Sequence, residues 1–185
     1  KLSEPSPERV LESRRLYEGR VVNLRLDTVE LAGGWKTTRE VVEHGEVVAV
    51  VPLLEGKDVL LVRQYRLPAA QTLLEVPAGG VDAGESSEEA AQRELGEECG
   101  QQADRLERLG GFYASPGFCS EFVHVFLATQ LRPVRARPDP DEEIAVVRLP
   151  LAEALRLVRQ GEIRDGKSII GLTWAREQVS DFTIE

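Results

Sequence analysis

Apolar and polar residues alternate from Val21 to Leu31 (VVNLRLDTVEL) and again from Trp35 to Glu43, on either side of Gly33-Gly34. A period of two around a glycine pair predicts a β-hairpin. Val47 to Leu54 (VVAVVPLL) is apolar throughout, which predicts a more deeply buried strand. Glu55-Gly56-Lys57-Asp58 then turns the chain, and Val59 to Gln64 returns as the next strand. Strand character recurs over Arg105 to Tyr113, Phe122 to Thr129 and Ile144 to Leu149. Leu151 to Gln160 and Ser168 to Gln178 carry the helical period. Residues 1 to about 8, with two prolines, read as a loose terminus, and Arg132 to Asp141 (RPVRARPDPD) as a proline-bearing loop. No internal repeat or low-complexity segment interrupts this order, and the mixture of strands and helices predicts an α+β or α/β fold.

The strongest helix signal lies between Gly79 and Gly100, GGVDAGESSEEAAQRELGEECG. Ser86 with Glu89 three residues on is a capping-box pair, and Gly100 supplies the stop. At 100° per residue Ala91, Leu95 and Cys99 share a stripe that faces a core, and Glu94, Glu97 and Glu98 share the adjoining one. Like charges three or four residues apart destabilise an isolated helix by about 0.2–0.5 kcal/mol per pair. Their convergence beside an apolar face therefore points to a cation, and an all-oxygen donor set favours Mg²⁺ or Mn²⁺. The competing reading is an acidic face that is simply solvated.

At 185 residues the chain has room for one ordinary domain and no second full one. No apolar stretch approaches the roughly 20 residues of a membrane span, and no secretory leader is expected at the start. Two cysteines, Cys99 and Cys119, support no disulfide framework, so a reduced, cytoplasmic setting is expected. The net charge of −9 argues against general nucleic-acid binding. An acidic protein that handles phosphates needs arginines or metal ions to offset the like charge.

The spacing of the acidic helix resembles the signature of the Nudix hydrolases, G-x5-E-x7-R-E-U-x-E-E-x-G-U with U aliphatic. Gly79, Glu85, Arg93, Glu94, Leu95, Glu97, Glu98 and Gly100 all match, and Gln101 departs where the family has an aliphatic residue. That departure touches packing after the helix, not a metal ligand. The resemblance extends from about Tyr17 to Leu155 and implies an α/β/α sandwich around a mixed sheet (residues 46–185), with an N-terminal β-hairpin extension over residues 1–45 that serves dimerisation and the adenosine pocket.

Further segments, TREVVEH, VRQYR and Ser115-Pro116-Gly117-Phe118, resemble those of the ADP-ribose pyrophosphatases of this family. Pro116 stands 16 residues beyond Gly100 (116 − 100), as it characteristically does there. The resemblance implies Mg²⁺-dependent hydrolysis of ADP-ribose to AMP and ribose 5-phosphate by a homodimer that exchanges its N-terminal strands. Glu94 and Glu98 are then the metal ligands, with Glu97 joining when further ions bind and the carbonyl of Ala78 completing the set. Glu85 and Arg93 form an ion pair between loop and helix, although Glu85 is also within consideration as a metal neighbour, and Gly79 permits a close backbone approach. Arg39 lies toward the adenosine, Arg66 toward the diphosphate, Arg63 is a further substrate-binding arginine, Glu75 and Asp82 lie toward ribose hydroxyls, and Pro116, Gly117, Phe118 and Glu121 border the substrate. Glu142, or its neighbour Glu143, is the loop-borne base. His44 and His124 fall within strand patterns and read as polar-network residues. Hydrolysis of another nucleoside diphosphate sugar such as GDP-mannose is the first alternative, and a non-catalytic nucleotide-sensing module the second.

Overall fold

The computed structural model describes residues 6–55, 57–135 and 143–179. They divide into two compact units, the described part of Lys1–Gly45 with Tyr113–Phe122, and the described parts of Glu46–Phe112 and Val123–Glu185.

In the first unit β1 (Arg9–Glu18), β2 (Val22–Glu30) and β3 (Lys36–His44) form an antiparallel sheet in that order. The predicted hairpin is β2–β3, turning at Gly33 and Gly34, whose φ angles of 99° and 84° suit glycine. The outer strand β1 corrects the sequence reading, in which strands begin only at Val21. All ten of its residues are exposed, so no buried face imprints an alternation on RVLESRRLYE. Its ladder with β2 holds it, helped by cross-strand polar pairs: Ser13 Oγ donates to Asp27 Oδ1 at 2.6 Å, Arg9 pairs with Glu30 and Arg15 with Glu43. The Tyr113–Phe122 segment joins this unit through backbone bonds to β3, Val42 N–H to the Phe118 carbonyl (2.8 Å) and Ser120 N–H to the Val42 carbonyl (3.0 Å).

The second unit carries β4 (Val47–Leu54), β5 (Asp58–Arg66), β6 (Gln71–Glu75), β7 (Ala78–Gly80), α1 (Ser87–Cys99), β8 (Gln101–Tyr113), β9 (Phe122–Pro133), β10 (Ala145–Pro150), α2 (Leu151–Arg159) and α3 (Gly166–Gln178). The seven-stranded sheet runs β10-β5-β4-β9-β8, with β6 on β5 and β7 on β4. It is mixed: β4 is parallel to β9 and antiparallel to β5 and β7.

The apolar run of β4 is explained by burial on both faces. Val47, Ala49, Val51 and Leu53 join Leu151, Leu155, Leu172 and Ala175 of α2 and α3 in one core. Val48 and Val50 join Ala90, Ala91, Leu95 and Cys99 of α1 in the other. Each fully buried valine or leucine contributes about 1.5–3 kcal/mol, so the alternation is strongly fixed. Gly171 lets α3 lie close on the sheet, since a Cβ there would stand 3.1 Å from Val51 Cγ2. The result is the expected α/β/α sandwich.

The short strands β6 and β7 are additions to the sequence reading, and they create the site. β4 pairs with β7 through Val47–Ala49 and with β5 through Leu53–Leu54, and between the two Val50 N–H donates to the Pro77 carbonyl at 2.9 Å. This split at Pro77 brings Ala78-Gly79-Gly80 against α1. Among the described residues no helix is long and apolar enough to cross a membrane.

Candidate active site

Helix α1 starts and stops where its sequence dictates. Ser86 and Glu89 form both halves of the capping box, and Gly100 closes the helix at φ 61° with its N–H on the Gly96 carbonyl. Gln101 opens β8 directly at intermediate exposure, so the polar residue at the departing position is accommodated without a buried pocket. Gln92 ties the helix to β8 in two bonds with the backbone of Ala103 (2.7 and 3.1 Å). These anchors fix the rotation of α1 about its axis.

That rotation buries Glu94 and Glu98 as well as Leu95, so these two carboxylates face the β7 backbone, while Glu97 stays half-buried at the edge. Glu98 is 5% exposed, and its Oε2 accepts the Ala78 N–H at 3.0 Å. The Glu94 carboxylate lies over Gly79, where any Cβ would collide with it. Arg93 spans the group: Nη1 donates to Glu94 Oε1 (2.6 Å) and Glu97 Oε2 (3.1 Å), Nε and Nη2 grip Glu85 (3.0 and 2.9 Å), and Nη2 also reaches the Gly80 carbonyl (2.8 Å). Hydrogen bonds to Glu85, foremost, raise the Arg93 pKa, and the same bonds hold the Glu85 carboxyl below its usual range. Asp82 is largely exposed, its carboxylate 4.0 Å from Arg93.

Ala78, Gly79, Gly80, Asp82, Arg93, Glu94 and Glu97 line an open cavity of about 330 Å³. Among the described residues no cluster of three or more His, Cys, Asp and Glu side chains is already arranged around a metal position. The chemistry of the donors nonetheless fits a hard divalent cation. Asp82, Glu85, Glu94, Glu97 and Glu98 around Arg93 sum to a formal charge of −4 (1 − 5) at and beside the cavity, with every carboxylate offering oxygen. Cys99, one turn from Leu95, offers no softer ligand, because burial, and after it the Glu98 charge, pushes its thiol up to about 12.

Arg66 and Glu75 meet at the ends of β5 and β6. Arg66 Nε and Nη2 bind the two Glu75 oxygens at 2.8 Å each, a forked pair, and Lys167 Nζ binds Glu75 Oε2 at 2.6 Å. Burial pushes the Glu75 carboxyl up, but the bond from Arg66 and the charge of Lys167 outweigh it and hold the pKa below normal. Glu75 is 1% exposed with both oxygens engaged, an arrangement different from the open, ribose-facing carboxylate expected from sequence. Arg66 also lies within electrostatic reach of Glu98. Arg63 shares a further cavity of about 380 Å³ with Tyr65, Thr72 and Glu143. Glu142 lies outside the described residues.

In the first unit Arg39, Pro116, Gly117 and Phe118 do come together. They line a cavity of about 540 Å³ with Glu8 and Tyr113, and Arg39 is held there by Glu8 at 2.6 and 3.1 Å. Ser115 caps the turn, its carbonyl accepting from Phe118 and Cys119 N–H (3.1 and 2.9 Å), while the Glu121 carbonyl accepts from Ala114 N–H (3.1 Å). His44 bonds to Gly45 and Ser120, and His124 bridges Glu46 (2.9 Å) and Arg108 (2.8 Å), so both belong to polar networks.

Sequence reasoning missed Glu8, Tyr113 and, most of all, Lys167. Asp165-Gly-Lys-Ser carries an N-cap signal that marks the start of α3, but nothing local in it points to Glu75, 92 residues earlier.

The chain is 37% identical to an ADP-ribose pyrophosphatase of Bacillus subtilis (strain 168), covering 90% of this chain and 91% of that protein. It is 42% identical to an ADP-ribose pyrophosphatase of Mycobacterium tuberculosis (88% and 80% covered) and 37% identical to a GDP-mannose pyrophosphatase of Yersinia enterocolitica (75% and 77%). The crystal structure of an ADP compounds hydrolase superposes with a TM-score of 0.86 at 25% identity, covering 96% of this chain and 97% of that one. Residues 43–170, well over half the chain and including α1, β7 and the cavity between them, match the NUDIX domain, and the chain therefore belongs to the Nudix hydrolase family.

Proposed function

We propose that this chain hydrolyses the diphosphate of ADP-ribose to AMP and ribose 5-phosphate with Mg²⁺ or Mn²⁺. The observation that carries the reading is the pair Glu94 and Glu98, buried one turn apart on α1 beside an open, oxygen-lined cavity. The names of the relatives at 37% and 42% identity supply the substrate class.

Glu94 and Glu98, with Glu97 and the Ala78 carbonyl, hold the cation. When bound, it neutralises the diphosphate and acidifies the attacking water. Arg66, steadied by Glu75, presents its guanidinium to the diphosphate, and Arg63 is a further substrate-binding arginine. Arg39 with Pro116, Gly117 and Phe118 holds the adenosine, and Asp82 the ribose hydroxyls. Glu142, or its neighbour Glu143, takes the proton from water, and a base on a loop completes the site only with substrate in place. Glu85, Arg93 and Gly79 keep α1 and β7 in register.

A substrate panel tests this reading. With Mg²⁺, kcat/KM for ADP-ribose is expected to exceed that for GDP-mannose by at least about tenfold, with AMP as the nucleotide product. The 37% identity to a GDP-mannose pyrophosphatase favours that sugar as the second reading, and GMP release at the higher rate would establish it. Tight ADP-ribose binding without turnover would instead identify a sensing module.

The assembly we propose is a homodimer that exchanges N-terminal strands, in a reducing, cytoplasmic setting that suits the two free cysteines. Its support is β1, an outer strand with Val10, Leu16 and Tyr17 roughly half exposed, an edge that invites a partner. Deleting residues 1–45 is expected to leave a monomer by light scattering and to raise KM for ADP-ribose by about tenfold or more. A truncated monomer with unchanged KM would overturn this assembly.

A further inference from the structure

The Arg66–Glu75 pair is part of a longer chain of charges. Lys167 Nζ bonds Glu75 Oε2 at 2.6 Å and Asp165 Oδ1 at 2.9 Å. Asp165 Oδ2 in turn accepts from the Ser168 N–H (3.0 Å) and hydroxyl (2.5 Å), and the Ser168 hydroxyl accepts the Val76 N–H at 2.8 Å. Glu75 and Ser168 are fully or almost fully buried, and Lys167 is 16% exposed. Two cations and two carboxylates sum to zero, so the cluster is neutral as it stands. The N-terminus of α3 thus holds the end of β6 at Glu75 and the following Val76, immediately before the Pro77 turn and the Ala78 backbone that meets Glu98.

We infer that Lys167 is a positioning residue for diphosphate binding, acting through Glu75 on Arg66. Glu75 grips the Nε–Nη2 edge of the Arg66 guanidinium, and Nη1 has no partner among the described residues. The direction of that remaining nitrogen depends on where the Glu75 carboxylate is fixed, and Lys167 is what fixes it. Without the ammonium, Glu75 and Asp165 face each other as like charges with only Arg66 to offset them. The carboxylate then shifts, or Arg66 is drawn toward the uncompensated charge, and in either case the outward edge of the guanidinium turns. A guanidinium contact to phosphate oxygens is directional, so its loss weakens binding more than chemistry.

The inference rests on the reading that Arg66 faces the diphosphate, and the experiment separates the two. Wild-type, Lys167→Met, Lys167→Arg, Arg66→Lys and the Lys167→Met/Arg66→Lys double variant are compared in ADP-ribose turnover with Mg²⁺, in thermal unfolding, and in calorimetric binding of ADP and of adenosine. Lys167→Met is expected to raise KM by about tenfold or more with kcat changed less than about threefold, the pattern of a lost binding contact. ADP binding should weaken in parallel while adenosine binding stays unchanged. Lys167→Arg, which keeps the charge, should restore most of the KM and serves as the test if the Met variant does not fold. The double variant should be no worse than Arg66→Lys alone, because one acts through the other. A wild-type enzyme active on ADP-ribose, with Lys167→Met merely less heat-stable and normal in KM and ADP affinity, overturns the inference and leaves the reading intact. Lys167→Arg with the Met variant's KM, or additive effects in the double variant, overturns it too. Wild-type protein that does not turn over ADP-ribose overturns the reading itself.

Discussion

Glu98→Gln is expected to lower divalent-cation-dependent kcat by at least about 10³-fold, equivalent to roughly 4 kcal/mol of activation free energy, while the protein remains folded. Glutamine keeps the length of the side chain and an oxygen that can accept the Ala78 N–H, the 3.0 Å bond through which Glu98 contacts β7. What it removes is one negative charge. In the absence of metal that removal relieves repulsion with Glu94, four residues earlier on α1, so unfolding measured in EDTA should not move to lower temperature. In the presence of Mg²⁺ the lost charge acts in the opposite sense, because a neutral amide is a far weaker ligand than a carboxylate for a hard cation. The check is steady-state turnover against Mg²⁺ concentration, with circular dichroism for the fold. A variant that kept a tenth or more of the wild-type rate would remove Glu98 from the metal site.

How much of this was legible in sequence depended on whether a residue's partners were close along the chain. Helix α1 announced itself because its start, its stop and its apolar stripe are written within the span from Ser86 to Gly100. The central strand β4 was equally plain, since burial on both faces demands an unbroken apolar run, whereas the sandwich was implied only by the family resemblance. Strand β1 had no such imprint: its ten residues are exposed and it is held by a neighbour's backbone, which polar and apolar residues serve alike. Strands β6 and β7 are five and three residues long, too short for any period to register, and Pro77 between them reads as a turn. The same distinction separates the two halves of the site. The carboxylates of α1 could be counted from their spacing, whereas the Arg66–Glu75–Lys167 cluster joins β5, β6 and α3, and Lys167 stands 92 residues from Glu75. A forked pair explains why Glu75, which sequence alone leaves free for a ribose, is committed to an arginine.

Gly79→Ala is expected to separate activity from stability more sharply than any change of a charged residue. Gly79 sits opposite Val48 in the short pairing of β7 with β4, and its backbone has no positive φ that would exclude alanine. Alanine there should gain about 0.4–1 kcal/mol through the unfolded chain. The three atoms nearest the added methyl all belong to the Glu94 carboxylate, the far end of a flexible side chain, so Glu94 must move before the backbone does. Swinging away weakens the partly exposed 2.6 Å contact with Arg93, a loss of roughly 0.2–1 kcal/mol. These two small terms oppose each other, and the melting temperature should barely change. The catalytic consequence is of another size: displacement of a reacting or ligating group by about 1 Å can lower rates about 10²-fold, and here the displaced group is one of the two buried carboxylates. The expected result is therefore a drop in kcat of at least about 10²-fold, together with a weaker apparent Mg²⁺ affinity, in a protein that melts like the wild type. Wild-type turnover in Gly79→Ala would mean that the position Glu94 takes over Gly79 is not the one that catalysis uses, and the cation would then have to be assigned to ligands other than Glu94.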